Sequence, residues 1–281
     1  MDGTFYLGPL GGMVPLPVPQ AGVRRPAERI GGTHISRSGA RTVDSFGMKR
    51  SWSLAFDWRY QSELEAIRLM HYGATAGALR IVDPMIHNRL PAEVSSTGSV
   101  RYDGVLVAHA VEGSAQLVAE WPSGASAVPL SSSIAWTPPE TGGELASSDP
   151  TYAIPVLDGE TVTASAYVRS PDGRSTQVAL RSYSATGAVN ATTTGTGASS
   201  ASWQRLTVSY TPTSTDAGAA VVLTSPAGTG VIRTAAWQLE VGAAATGWML
   251  GGGCPEVVID QMPEESPYFP MTDAGLTLLE V

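Results

Sequence analysis

Ser51-Trp52-Ser53-Leu54-Ala55-Phe56-Asp57-Trp58 decides the fold class. Trp52, Leu54, Phe56 and Trp58 alternate with small or polar residues. A period of two with large aromatics on one side is the signature of a half-buried strand. Immediately downstream the period changes. Over Gln61–Tyr72, Leu64, Ile67 and His71 lie on one stripe while Glu65 and Arg68 point elsewhere, and Gly73 supplies a stop. This spacing predicts a helix. Leu79-Arg80-Ile81-Val82 then reads as a strand closed by Asp83-Pro84. One helix on a small antiparallel sheet is an α+β arrangement.

Upstream, Gly31–Ser36 reads as a strand followed by a turn at Ser38-Gly39. Residues 1–30 are rich in Gly and Pro, with one short strand expected around Phe5–Leu7. Such a segment is expected to be an extended arm that cannot bury itself and lies on a neighbouring surface.

From Asn88 to Gly253, Ser, Thr, Ala and Gly dominate and no helix is predicted. Val162–Val168 alternates with Val162, Ala164, Ala166 and Val168 on one side. Gln177–Tyr183 and Trp203–Tyr210 alternate as well. Ala219–Thr224 and Val231–Leu239 complete the series, with Pro171-Asp172-Gly173 as a turn. Short strands at regular intervals predict a β-sandwich or jelly roll. Ala191–Ala201 reads as an exposed Thr/Gly/Ser loop. Gly251-Gly252-Gly253 reads as a flexible joint, and the neighbouring Cys254 as a small buried hydrophobe.

Beyond the joint, Pro255–Asp260 reads as a strand, Met262–Pro270 as a Pro-rich linker and Gly275–Val281 as a terminal strand. That last strand has no local partner, so it is expected to return to the N-terminal sheet. The division that follows is an arm over 1–30, a domain formed by 31–94 with 254–281, and a sandwich over 95–253.

Composition limits function. Of 281 residues, 43% are hydrophobic and 15% charged, enough for real cores under a charge-poor surface. The net charge of −8 and the lack of a dense Lys/Arg cluster argue against nucleic-acid binding. One cysteine allows no internal disulfide. His34, His71, His87 and His109 share no zinc spacing, and no metal or cofactor is expected. The N-terminus lacks the basic region of a signal peptide, and no apolar run reaches the ~20 residues of a membrane helix.

No Gly-x-Ser-x-Gly elbow or phosphate-binding loop occurs, and no acidic pair stands out, so the chain is expected not to be an enzyme. Asp149, Asp158, Glu160 and Glu240 are read as solvated turn residues rather than calcium ligands. For sugar binding, aromatics near loops or strand edges are the candidates: Trp136, Tyr152 and Tyr183. Trp203, Trp237 and Trp248 sit at strand positions that favour core filling.

Two resemblances cover most of the chain. Arg41–Gly47, the aromatic strand, the helix, Asp83-Pro84, Asn88-Arg89-Leu90 and the closing Leu-Thr-Leu-Leu-Glu-Val resemble minor tail proteins of phages infecting actinobacteria. These pieces are similar to the distal-tail and tail-tube family. The resemblance implies a small β-sandwich with one helix, built from both chain ends, that assembles into a ring of six. It also implies partners among other tail proteins (tail tube, tail tip or baseplate hub) and a place in the virion.

Leu157–Val168, Trp203-Gln204-Arg205-Leu206, and Trp237-Gln238-Leu239-Glu240 with Gly242 and Gly247-Trp248 resemble jelly-roll carbohydrate-binding modules. Asp158 stands where that pattern has Pro, and residues 95–150 match little. This resemblance implies an inserted jelly-roll β-sandwich and host cell-wall glycan as a ligand. The alternative is a secreted glycan-active enzyme fragment or an adhesin with an accessory module.

Overall fold

The computed structural model describes residues 3–20, 22–43, 47–96, 106, 109–122 and 130–281. Asp44, Ser45 and Phe46, within the tail-like Arg41–Gly47 motif, lie outside the described residues.

In chain order the strands begin with β1 Tyr6–Gly8, β2 Val14–Pro15, β3 Ala27–Ile30, β4 Thr33–Ile35, β5 Arg41–Val43 and β6 Gly47–Tyr60. Helix α1 Gln61–His71 and β7 Leu79–Val82 follow, then a short helix α2 Ala92–Ser96. Next come β8 Ala110–Val111, β9 Ser114–Val118, β10 Ser133–Thr137, β11 Gly143–Ala146 and β12 Ile154–Pro155. The series continues with β13 Val162–Arg169, β14 Gln177–Tyr183, β15 Val189–Thr194, β16 Gln204–Tyr210, β17 Gly218–Ser225 and β18 Ile232–Val241. It ends with β19 Glu256–Gln261, β20 Glu264–Tyr268 and β21 Met271–Glu280. The protein is mainly β and forms two compact units.

One unit comprises Thr4–Pro9, Val14–Ile81 and Pro255–Val281. Its sheet runs β2-β1-β7-β19-β21-β6-β3, with β20 on β21. The terminal strand β21 lies antiparallel along β6, with Leu276 opposite Leu54 and Leu278 opposite Trp52. Both ends of the polypeptide therefore share one sheet. Trp52, Leu54, Phe56, Leu276 and Leu278 are buried with Leu64, Ile67 and Met70 of α1.

Four expectations change here. Trp58 is 61% exposed. Asp57 and Trp58 together face the single Asp273, and Trp58 has φ 53°, so a bulge reverses the alternation after Phe56. The Trp58 N–H donates to Asp273 Oδ1 at 2.7 Å. On α1 the third buried position is Met70, and His71 is exposed. Residues 1–30 are not a free arm: Phe5, Leu7 and Leu16 enter this core, and β1 pairs with β2. Three apolar side chains outweigh the surrounding Gly and Pro because the sheet offers them a place to bury. Met262–Pro270 contains β20, which hairpins onto β21.

The other unit comprises Met1–Gly3, Leu10–Met13 and Val82–Cys254. A five-stranded sheet, β16-β13-β18-β10-β9, and a second sheet, β15-β14-β17-β11-β8 with β12 on β17, make a β-sandwich. Strands at the same place in the two sheets are sequence neighbours: β16 and β15, β13 and β14, β18 and β17, β10 and β11, β9 and β8. This is a paired ribbon wound into a jelly roll. Residues 109–122 and 130–150 supply β8 to β11, so that stretch, which matches little of the module pattern by sequence, is part of the sandwich.

The sandwich starts at Val82 rather than residue 95. Asn88 is fully buried and satisfies both ends of its amide. Nδ2 donates to the Trp237 and Met249 carbonyls at 3.1 and 2.8 Å, and Oδ1 accepts from the Leu239 and Leu90 N–H groups. Arg89 forms a bidentate pair with Glu160, whose Oε1 also accepts from the Leu157 N–H at 2.9 Å. Glu160 is therefore a structural partner, not a solvated turn residue. Gly251-Gly252-Gly253 is buried as well, threaded along the carbonyls of Leu90 and Asn88. The expected joint is a packed strap.

Asp216 latches the edge of the sandwich formed by β15 and β16. It accepts from Asn190 Nδ2, the Tyr210 hydroxyl and the Thr213 N–H at 2.9, 2.7 and 2.9 Å. Burial pushes its carboxyl up. The hydrogen bonds from Thr213, Asn190 and Tyr210 outweigh that and hold it well below the usual range. A depressed folded-state value contributes stability above the unfolded value of about 3.9. That contribution is lost as pH falls from there toward the folded value. Asp216→Asn is expected to cost about 2 kcal/mol at pH 7, and the difference from wild type should shrink in denaturant melts as pH drops below 4.

Candidate functional site

The three aromatics singled out for sugar contact separate in space. Trp136 on β10 is completely buried, its Nε1–H donating to the Glu112 carbonyl at 2.8 Å. Tyr183 on β14 is 3% exposed and packs with Ala146, Ala153, Ala179, Ala220 and Val222. Burial pushes its phenol up, opposed by Arg181, with Glu144 and Asp149 adding to the rise. Neither ring can offer a face to a pyranose, because Trp136 is fully enclosed and Tyr183 is covered by Ala153 and Leu10 among others. Tyr152 is 59% exposed on a 3-10 turn, Pro150–Tyr152, capped by Asp149 Oδ1. The structure thus brings Tyr152 and Tyr183 to one region of the six-stranded sheet and leaves Trp136 in the other sheet.

A different set of aromatics gathers on the outward face of the five-stranded sheet. Along β13 the small apolar residues Val162, Ala164, Ala166 and Val168 point into the sandwich. Thr163, Ser165, Tyr167 and Arg169 therefore point out. Register places Arg205 of β16 beside Tyr167, and Glu240 and Gln238 of β18 beside Thr163 and Ser165. A bulge between Ser165 and Tyr167, where Ala236 has φ 55°, turns Ala235 outward beside Tyr167. Tyr167, Trp203 and Trp248, all half-buried, pack on Ala235 and Ala236. The Arg205 guanidinium lies 5.8 Å from the Tyr167 ring centroid.

Polar groups flank this aromatic cluster. Glu240 accepts from Gln238 Nε2 at 2.7 Å and from the Thr246 N–H at 2.9 Å. Gln238 Oε1 accepts from the Met249 N–H at 2.9 Å, and Arg205 donates to Ser165 Oγ at 2.8 Å. Glu240 is thus buried in a network rather than solvated. On the other side Glu120 pairs with Arg169 and Arg233. The Ser133 hydroxyl, the Nε atoms of Arg169 and Arg205, and the Trp248 indole N–H are buried and make no hydrogen bond among the described residues. Unpaired donors beside half-exposed rings are suited to an oxygen-rich ligand with apolar faces.

Sequence reasoning placed Trp203 and Trp248 in the core together with Trp237. Only Trp237 is wholly buried. Tyr167 was overlooked, although the alternation that put its neighbours inward already put it outward.

No family model matches the chain, and no curated protein matches it. Among solved structures, it is similar to the enzymatically active domain of tailspike protein 4 of bacteriophage CBA120. The TM-score is 0.42 at 10% identity over 53% of this chain and 22% of that one. It is also similar to the xylan-binding domain CBM22-1 of Paenibacillus barcinonensis Xyn10C, with TM-score 0.39 at 16% identity over 50% and 90% of the two chains. A third is a xylan-binding domain of the same module family, with TM-score 0.37 at 16% identity over 57% and 96%. The chain spans about a fifth of the tailspike domain.

Proposed function

We propose that this chain is a non-catalytic structural component of a bacteriophage tail. Its two-ended sheet assembles into a ring, a hexamer by the family resemblance, against the tail tube and the tail tip or baseplate hub. Its sandwich contacts host cell-surface glycan. The observation that carries the reading is the pairing of β21 with β6, which unites the chain ends and makes the sandwich an insertion. That is the arrangement the tail-protein resemblance implies. Closed ring symmetry needs a head-to-tail interface, and weak sugar sites suffice when several copies act together. Reconstruction of the parent particle by electron microscopy tests the placement: density for the chain in the tail supports it, and a particle lacking the chain refutes it.

The glycan contact is assigned to the Tyr167, Trp203 and Trp248 cluster, with Tyr152 as a separate exposed aromatic. Trp248→Ala in the full chain is expected to weaken binding to host cell wall by about tenfold, the loss of one ring contact of roughly 1.4 kcal/mol. Tyr152→Ala is expected to weaken it less. A pull-down in which wild type shows no retention removes the glycan role and leaves the tail role standing.

A further inference from the structure

The long β6–β21 pair carries different surfaces at its two ends. At one end β3 pairs with Gly47–Arg50 of β6, and β4 and β5 continue outward as a two-stranded ribbon. From Arg24 to Met48 every described residue except Gly32 is exposed, including Ile30, Ile35, Val43 and Met48. An isolated two-stranded ribbon of this kind is marginally stable by itself and leaves its apolar side chains unburied.

The ribbon is also electrostatically unlike the rest of the chain. Residues 24–50 hold seven of the seventeen Lys and Arg but two of the twenty-five Asp and Glu, a charge of +5 against −13 for the remainder. Arg37 and Arg41 make no ion pair among the described residues.

At the other end, roughly 40 Å along β6 at about 3.3 Å per residue, β21 carries β20 beside Phe56–Tyr60. From Asp260 to Asp273 the chain holds four Asp and Glu and no Lys or Arg. Arg68 engages Glu264 there, whereas Glu256 and Glu280 lie at the ribbon's end of the pair, on Arg80 and Arg50. Asp260 and Glu265 are exposed and make no ion pair among the described residues. Tyr268 and Phe269 beside them are 70% and 82% exposed.

We infer that the basic ribbon of residues 24–50 docks on the acidic, aromatic end formed by Asp260–Asp273 in a second copy of this chain. Arg50 at the root of the ribbon already pairs with Glu280, but Arg37 and Arg41 farther out cannot reach Glu265 at the opposite end of the strand pair within one chain, whereas they can meet it in a second copy and so join successive copies head to tail. The inference deepens the ring reading by naming the interface, and it moves the crossing element from residues 1–30 to the 24–50 ribbon.

The test uses the full chain and mass photometry across protein and salt concentration. Wild type is expected to assemble, with the dissociation constant rising as salt rises. Arg37→Glu with Arg41→Glu should weaken assembly at least tenfold, and Asp260→Arg with Glu265→Arg should do the same. All four substitutions in one chain should restore it. Because these side chains are exposed, each variant should keep the wild-type melting curve. Assembly indifferent to both charge reversals, no restoration in the fourfold variant, or a wild type that stays monomeric would each overturn the proposal. The tail reading is judged separately, by whether the chain is found in the particle, so an assembled particle with indifferent variants refutes this interface alone.

Discussion

Gly251→Ala is expected to be among the most damaging single substitutions in the sandwich, costing about 3 kcal/mol or more. A Cβ at residue 251 would meet the Leu90 carbonyl at 2.2 Å, the Pro91 carbonyl at 2.9 Å and the Ser95 hydroxyl at 2.9 Å. Two of these are backbone, so relief requires moving a main chain that is itself tied down. The Gly251 N–H donates to Ser95 Oγ at 2.8 Å, and the Gly253 N–H to the Asn88 carbonyl at 2.9 Å. Shifting the strap therefore breaks buried hydrogen bonds as well as packing, two of the mechanisms behind large losses. Chemical denaturation followed by tryptophan fluorescence measures it. A flexible joint, by contrast, would accept alanine within a few tenths of a kcal/mol, and such a result would show that the strap is not held as described.

Arg174→Met should cost about 3 kcal/mol, because the substitution removes four hydrogen bonds donated by a buried guanidinium and leaves a buried carbonyl without its donor. Arg174 is 5% exposed. Its Nε donates to Ser225 Oγ at 2.8 Å, Nη1 to the Pro138 carbonyl at 3.0 Å, and Nη2 to the Pro139 and Pro226 carbonyls at 2.6 and 3.1 Å. Three of these acceptors are carbonyls of residues that follow or end strands of both sheets, and two belong to consecutive prolines. Methionine fills much of the volume of the arginine stem but donates nothing, so the Pro138 carbonyl would lose its donor, while the Pro139 and Pro226 carbonyls would keep only the Gly142 N–H and the Ser225 hydroxyl. Arg174→Lys should recover only part of the loss, since an ammonium cannot reach in the fork geometry of a guanidinium. A Met variant as stable as wild type would mean that water reaches those carbonyls.

Much of the fold was legible in the chain. The Trp52–Phe56 alternation, the α1 stripe through Leu64 and Ile67, and the Val162–Val168 alternation each depend on near neighbours. Local period maps directly onto which side chains face a core. The same logic failed where a single backbone angle changed. Nothing nearby distinguishes Trp58 from Trp52, yet the bulge opposite Asp273 turns it to solvent.

The binding face was half legible. The phase of β13 placed Tyr167 outward, but the gathering of Trp203, Trp248 and Arg205 beside it depends on the pairing of β13 with β16 and β18, across separations of tens of residues.

By itself, then, the sequence determined a mainly β chain, one helix following a long aromatic strand, and a Ser/Thr-rich sandwich between two ends that needed each other. These rest on side-chain periodicity and on an unpaired terminal strand, both properties of short segments. Only the tertiary structure decided that Trp136 and Tyr183 are enclosed, that the triple glycine is a strap, that Phe5 and Leu7 belong to a core, and that the described residues from Arg24 to Met48, Gly32 apart, stand exposed. Burial is set by what lies across from a residue, and that neighbour is supplied by distant parts of the chain whose distance along the sequence carries no local signal.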